Sequence, residues 1–270
     1  MKVGESCFQC IKGLAHKTLE LIGAKDESFR EVEKFIEDNW RLDATPPSLA
    51  NGLLKMIKER FNVDDPYEGF KSHELMIALK TSERLQEFFP EDILGALKFS
   101  ALGNSSDFFM ETDFNYEKID FFADLEKIEK GLSESCRVLI LGDNISDFIF
   151  DLKLIRYLER IGKEVYYAVK ESPVQNDLSI SDLRKYGLRR FFDKFISTGD
   201  GEVGLRKEYI RGLIKELWEG ETFIIAKGMG NYETLTEYSE RPILYIMKVK
   251  CKEVSKSIGY PIGTYLALYR

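Results

Sequence analysis

The chain has 270 residues and a mass of 31.2 kDa, with 44% hydrophobic and 31% charged residues. That is enough apolar material for a large core and excludes wholesale disorder. Thirty-nine Lys and Arg against 46 Asp and Glu leave a net charge of −7 and a pI near 5.2, which argues against a general nucleic-acid or anionic-membrane binder but leaves room for a local basic pocket.

The first 130 residues read as a helical region. Ile11, Leu14, Ala15, Leu19 and Ile22 recur at helical spacing between Cys10 and Gly23. A second helix is expected near Ser28, with Phe29, Val32, Phe35 and Ile36 on one face and a capping-box spacing from Ser28 to Glu31. Thr45-Pro46-Pro47-Ser48 breaks that run and can open the next helix. Further helical patterns cover Leu53–Phe61, Leu75–Phe89 and Asp92–Leu102. The pairs Phe88-Phe89, Phe108-Phe109 and Phe121-Phe122 read as core. Cys7 and Cys10 form a single CxxC with no second pair, so a zinc ribbon is not expected, and four cysteines make no disulfide framework at this length. No apolar stretch approaches the roughly 20 residues of a membrane helix. The opening MKVGESCFQC turns polar at once, so a cytoplasmic location is expected.

Residues 131–270 follow a different pattern. Short apolar runs at Val138–Leu141, Val165–Val169, Phe195–Ser197, Phe223–Ala226, Ile243–Val249 and Tyr265–Leu268 alternate with helix-length connections such as Phe148–Ile161 and Tyr209–Trp218. Strands separated in this way indicate βαβ units and a mostly parallel sheet, so the half is expected to be a doubly wound α/β unit, with the last two runs as an edge pair. In such sheets ligands bind outside the carboxyl ends of the strands.

Those ends carry chemistry. The first gives Gly142-Asp143-Asn144, a carboxylate and a carboxamide suited either to a divalent cation or to capping the next helix. The loop after the second strand holds Asn176-Asp177, which can meet Asp143 or serve as a turn or cap. The third ends in Thr198-Gly199-Asp200-Gly201, whose glycines suit an anion at a helix start. The fourth ends in Lys227-Gly228-Met229-Gly230-Asn231-Tyr232-Glu233, a cation, glycines, an amide and a carboxylate in one loop. Lys248 and Lys250, two apart on one strand, give a basic spot or a protected edge. Gly103 reads as a helix C-cap, and Asn104 can reach the cleft between the halves.

In their order these motifs resemble the metal-dependent damage-control phosphatases, once called the domain of unknown function 89 family, and the N-terminal CxxC resembles the archaeal-type branch. Gly103-Asn104 with Asp107, Gly142-Asp143-Asn144, Asn176-Asp177, the Lys227–Glu233 run and Lys248-Val249-Lys250-Cys251 carry the resemblance. It implies a Rossmann-like three-layer α/β/α unit joined to an N-terminal helical region. It implies a divalent metal (Mn, Ni, Co or Mg) held by Asp143, Asn144 and Asp177, with Asp147 near the place where many relatives have Glu. It implies hydrolysis of small phosphorylated metabolites such as sugar phosphates. Asp143, Asp177, Lys227 and Glu233 are the expected catalytic residues, and Asn104, Asn231, Lys248 and Lys250 the expected phosphate contacts. The absence of an aspartyl-phosphate DxD motif at a strand end favours direct attack by water. A metal-dependent binder or sensor that never turns its ligand over is the other expectation. A nucleotide-sugar or methyl-group transferase is disfavoured, because the first turn is Asp-Asn and not G-x-G-x-x-G.

Overall fold

The computed structural model describes residues 1–104, 119–237 and 241–270, so Asp107 and the Phe108-Phe109 pair lie outside the described residues. Seven strands form one sheet: β1 (Phe121–Ala123), β2 (Arg137–Leu141), β3 (Glu164–Val169), β4 (Phe195–Ser197), β5 (Thr222–Lys227), β6 (Ile243–Lys248) and β7 (Tyr265–Tyr269). Their order is β1-β7-β6-β5-β2-β3-β4. Every neighbouring pair is parallel except β6 with β7. From β2 the chain winds outward through β3 to β4, then returns to lay β5 on the other side of β2. The order therefore reverses between β2 and β5, and a crevice opens at their carboxyl ends.

The helices are α1 (Cys7–Leu21), α2 (Asp26–Asn39), α3 (Pro46–Phe61), α4 (Glu68–Leu85), α5 (Ile93–Leu102), α6 (Leu125–Ser133), α7 (Ile145–Arg160), α8 (Ile180–Lys185), α9 (Gly212–Glu219), α10 (Gly228–Leu235) and α11 (Lys252–Ile258). One face of the sheet packs against α4–α8 and the other against α9–α11, which gives the three α/β/α layers. The first three helices have a core of their own around Ile11, Leu19, Val32, Ile36, Leu53 and Ile57. The next two are built into the sheet's layers. The sequence of α5, ILGALKFSAL, is apolar on nearly every side, and the helix is buried almost throughout, as a helix without a polar face must be. It lies on α7, itself enclosed between the sheet and the helical region.

Most strands fall where the apolar runs predict, and the differences have local causes. The pair Phe121-Phe122 is a strand, β1, which covers β7, so the β6–β7 pair is not at the sheet edge. β6 ends at Lys248, leaving Lys250 beyond it on the loop. Ser28 and Glu31 lie inside α2, which starts at Asp26 without a side-chain cap. The box forms at the start of α3, where the side chains of Thr45 and Ser48 cap one another's backbone N–H groups. No helix follows β4 directly. The chain stays irregular until Gly212, so its glycines do not form a helix-start anion turn. Gly103 does end α5, at φ −53, in the right-handed region. What requires glycine there is proximity, since a Cβ would stand 2.7 Å from Asp147 Cα and 3.2 Å from Phe150 Cβ.

Replacing that hydrogen by a methyl must push α5 off α7. Gly103→Ala is expected to cost about 1–3 kcal/mol, as overpacked cores do. Denaturant unfolding of the purified variant checks this, and unchanged stability would contradict the close approach.

Candidate active site

α7 begins at the residue after Asn144, so the turn leaving β2 is tight and places Asp143 and Asn144 at the mouth of the crevice. Asn144 occupies the N-cap position, but its side chain makes no capping bond. Its amide N–H group instead donates to Asp143 Oδ2 (3.3 Å) and Asp147 Oδ2 (3.2 Å). The loop after β3 is strapped to this turn. Leu178 N donates to the Asp143 carbonyl at 2.9 Å, and Ile145 N donates to the Asn176 carbonyl at 2.9 Å. Asn144 and Asp177 face one another as an isolated bridge. The two loops thus bring Asp143, Asn144 and Asp177 together around one cavity of about 270 Å³.

Asn104, just past α5, joins them. Its Nδ2 donates to Asp143 Oδ2 (2.9 Å) and reaches Asp147 Oδ2 (3.4 Å), while Lys248 N donates to its Oδ1 (3.4 Å). Lys250 lines the same cavity, as do Lys17 from α1 and Glu74 from α4. The buried Glu74 accepts from Ser146 Oγ (2.9 Å) and from Asn176 Nδ2 (2.9 Å). It therefore clips the start of α7 and the Asp177 loop to the helical region. Gln175, next to Asn176, holds φ +45, an uncommon conformation for a non-glycine residue, at the cavity wall.

The floor is a buried ion network. Lys227, fully enclosed at the end of β5, donates to Asp151 Oδ1 (2.6 Å) and to the Ser100 carbonyl (2.8 Å) and hydroxyl (2.7 Å). It also stands 3.3 Å from Asp147 Oδ1. Burial works against its charge, but the Asp151 and Asp147 carboxylates outweigh that and hold the ammonium above its ordinary range. Asp147 and Asp151 are one helical turn apart on α7, so both reach the same lysine. Next to it, Gly228 has φ +73, and a Cβ would sit 1.9 Å from Asp143 Oδ2. Only glycine allows that backbone to adopt the left-handed conformation and to touch the carboxylate.

The carboxylates are under electrostatic load. Burial and the charges of Asp177 and Asp147 push Asp143 well above the usual carboxylate range. Asp177 is raised to about 6 by burial and by Asp147, against the pull of Lys170. Asp177 Oδ2 accepts no hydrogen bond from the described residues, although Lys170 Nζ lies 3.8 Å away. A buried carboxylate oxygen with no donor, beside a second raised carboxylate, fits an oxygen-preferring cation. Two carboxylates and a carboxamide complete such a set without a third acid, imidazole or thiol. No triad of those latter kinds arranged to hold a metal occurs among the described residues.

Of the other expected residues, Asn231 donates to the Gly142 carbonyl (3.2 Å) and the Lys227 carbonyl (2.8 Å), tying α10 to β2. Lys248 Nζ sits 5.0 Å over the Tyr265 ring. Glu233 lies further along α10 and lines the adjoining cavity with Cys7, Cys10 and Cys251. Glu74 and Lys17 escape sequence reading because each is one polar residue in the middle of an amphipathic helix. Lys170 stands directly after β3, where the strand-end rule could have found it. A larger cavity, about 640 Å³ beside α3, mixes Lys55, Lys58 and Arg206 with Glu59, Asp64 and Glu202 and contains none of the clustered acids.

A polar pocket walled by acids and two lysines thus lies at the switch point of a doubly wound sheet, where folds of this class bind small ligands. The chain belongs to the damage-control phosphatase ARMT1-like domain family, whose model matches residues 3–266. It is 29% identical to a damage-control phosphatase of Pyrococcus horikoshii, over 99% of this chain and 98% of that protein. It is 24% identical to a damage-control phosphatase of Archaeoglobus fulgidus, over 99% of each chain. It also superposes on the crystal structure of a DUF89 family protein from Pyrococcus horikoshii with a TM-score of 0.86 and 26% identity, covering 99% of both chains. Among the described residues no helix is long and apolar enough to cross a membrane.

The raised acids set a pH dependence. A carboxyl group whose folded pKa exceeds its unfolded value stabilises the protein at low pH, and that contribution is lost as pH rises through the folded pKa. With divalent ions chelated, Tm is therefore expected to fall between about pH 4 and pH 6.5, from the range where the unfolded carboxyl ionises to the point where folded Asp177, raised to about 6, loses its proton. Asp177→Asn should flatten the fall. Calorimetry at constant ionic strength checks this, and a Tm that holds or climbs across the window would refute it.

Proposed function

We propose that this protein is a divalent-metal-dependent phosphatase that hydrolyses small phosphorylated metabolites, sugar phosphates among them. The observation that carries the reading is the pair of proton-raised carboxylates, half-buried Asp143 and buried Asp177, flanking Asn144 at the switch point. Membership of a family of damage-control phosphatases supports the same reaction class. Asp143, Asn144 and Asp177 would hold the ion. With the Asn144 amide N–H group committed to Asp143 and Asp147, its amide oxygen is the atom left to ligate. Mn, Ni, Co and Mg all accept such donors. A divalent ion there supplies Lewis acidity to a phosphoryl oxygen and lowers the proton affinity of water.

The chain's own groups do the rest. Lys250 at the wall offsets charge on the transferring phosphoryl group, and the cavity leaves Lys17 within the same lining to meet a second oxygen. Asn104 holds Asp143 in place by the 2.9 Å bond. Lys227 acts from below. Its ammonium is spent on Asp151, Asp147 and Ser100, so it sets the field and the packing beneath the site and leaves direct phosphate contact to Lys250. A cavity of about 270 Å³ accommodates a small phosphorylated molecule, below the usual range for drug-sized ligands. The position of Glu233 in the adjoining cavity favours metal-assisted attack by water oriented from the Asp177 side.

Phosphate release from a sugar-phosphate panel with each of the four metals tests the reading. Asp143→Ala is expected to abolish release, and Lys250→Ala to lower kcat/KM by about 10²-fold or more with the fold intact. Lys227→Met should instead destabilise the protein by about 3–5 kcal/mol, because it leaves buried carboxylates unpaired. Metal-dependent binding with no turnover on any substrate would identify a sensor, and undiminished release from Asp143→Ala would sink the metal assignment.

A further inference from the structure

Beside the candidate active site lies a second cavity of about 260 Å³ with different chemistry. Three of the four cysteines line it: Cys7 and Cys10 from the first turns of α1, and Cys251 from the residue before α11. The thioether of Met229 and the carboxylate of Glu233, both on α10, complete the wall. The fourth cysteine, Cys136, is exposed at the start of β2 and is not part of it. Sequence spacing shows one CxxC and no partner for it. The fold supplies that partner from the other end of the chain.

Two of the three sulfurs accept backbone hydrogen bonds. Gly4 N donates to Cys7 Sγ at 3.3 Å, and Val254 N donates to Cys251 Sγ at 3.4 Å. Both bonds would strengthen if the sulfur became a thiolate. Glu233 has no hydrogen bond or ion pair to its carboxylate among the described residues. The N-terminal ammonium, the cation that lowers its proton affinity, is bonded to Glu237 (2.5 Å). Four acids thus share one half-buried pocket with no lysine or arginine in its lining.

We propose that Cys7, Cys10 and Cys251, with Glu233 as fourth donor, bind a thiophilic divalent cation of the zinc class. Three sulfurs and one oxygen, two of the sulfurs in a C-x₂-C pair, form a donor set that zinc accepts in tetrahedral geometry. As the side chains stand, the donors are not gathered at ligating distance. Cys10, at the exposed mouth, must turn inward to close the set. On binding, three S–H bonds break, three sulfur–metal bonds form, and the protons leave to solvent, so no oxidant is needed.

A redox pair is the competing role, and the electrostatics disfavour it. Burial and then Glu233 raise the Cys10 thiol, and burial raises Cys7 and Cys251 despite their backbone bonds. Reactive redox cysteines need the opposite shift. A bound cation inverts that balance and favours the thiolates. The ion would fasten α1 to α11 across the wall formed by Gln175, Met229 and Gly230, which the two cavities share.

The test uses the full chain with zinc or cobalt as probe. Zinc should leave one equivalent bound after desalting, protect three thiols from a thiol reagent while Cys136 stays reactive, and raise Tm. Cobalt in its place should show thiolate-to-cobalt charge-transfer absorption. That absorption should survive Asp143→Asn and vanish in Cys10→Ser, whose exposed side chain can be changed without disturbing the core. An all-oxygen site gives no such band, so the result stands apart from the phosphatase reading. Four thiols equally reactive with and without zinc, a cobalt spectrum without thiolate bands, or a disulfide among the three would overturn the proposal.

Discussion

The structure turns on one electrostatic constraint: the buried acids Asp147 and Asp177 and the half-buried Asp143 crowd together at the ends of β2 and β3 and at the start of α7. Carboxylates that close repel one another and lose their water, which is why Asp143 and Asp177 hold their protons so far up the pH scale. The surroundings offset the repulsion in layers. Lys227 sits under Asp147 and Asp151, Lys170 stands beside Asp177, and the amides of Asn104 and Asn144 donate upward to Asp143 and Asp147. The compensation is incomplete at the top, where Asp177 Oδ2 has no donor among the described residues. On the proposed function, that oxygen without a donor is where a bound cation would be met.

The rest of the fold holds this cluster in place. The topological reversal between β2 and β5 sets Asp143 beside Gly228, close enough that only a glycine fits. The nearly all-apolar α5 is driven onto α7, and its last turn delivers Asn104 to the acids. Through Glu74, α4 clamps the Asp177 loop to the start of α7. The helical region is thus part of the site. It supplies Asn104, Glu74 and Lys17 and closes the cavity over the strand ends.

Much of this was legible in the chain. Alternating runs such as Val138–Leu141 and Phe223–Ala226 announced parallel strands, because a strand buried on both faces must be apolar throughout. The strand-end rule then singled out Asp143, Asn144, Asp177 and Lys227 before any geometry was known. What the sequence hides is direction. Lys227 reads as a catalytic lysine, and two acids one turn apart on α7 hold it beneath the floor. Glu233 belongs to the same loop motif, but α10 carries it past the cavity toward the cysteines. Phe121-Phe122 looks like core filling because a three-residue strand has too short a period to register. The meeting of Cys251 with the CxxC is a tertiary event that no local pattern encodes.

On the proposed function, a divalent ion binding at the switch point displaces protons from the raised acids to solvent. Calorimetric titration of Mn²⁺ into chelator-treated protein, repeated in buffers of different ionisation enthalpy, measures that exchange directly, and Mn²⁺ prefers oxygen donors over thiolates. The account predicts one binding event that releases protons near about pH 6, releases fewer near about pH 8, and disappears in Asp143→Asn. Binding without proton release at the lower pH, or binding that survives the substitution, would contradict it.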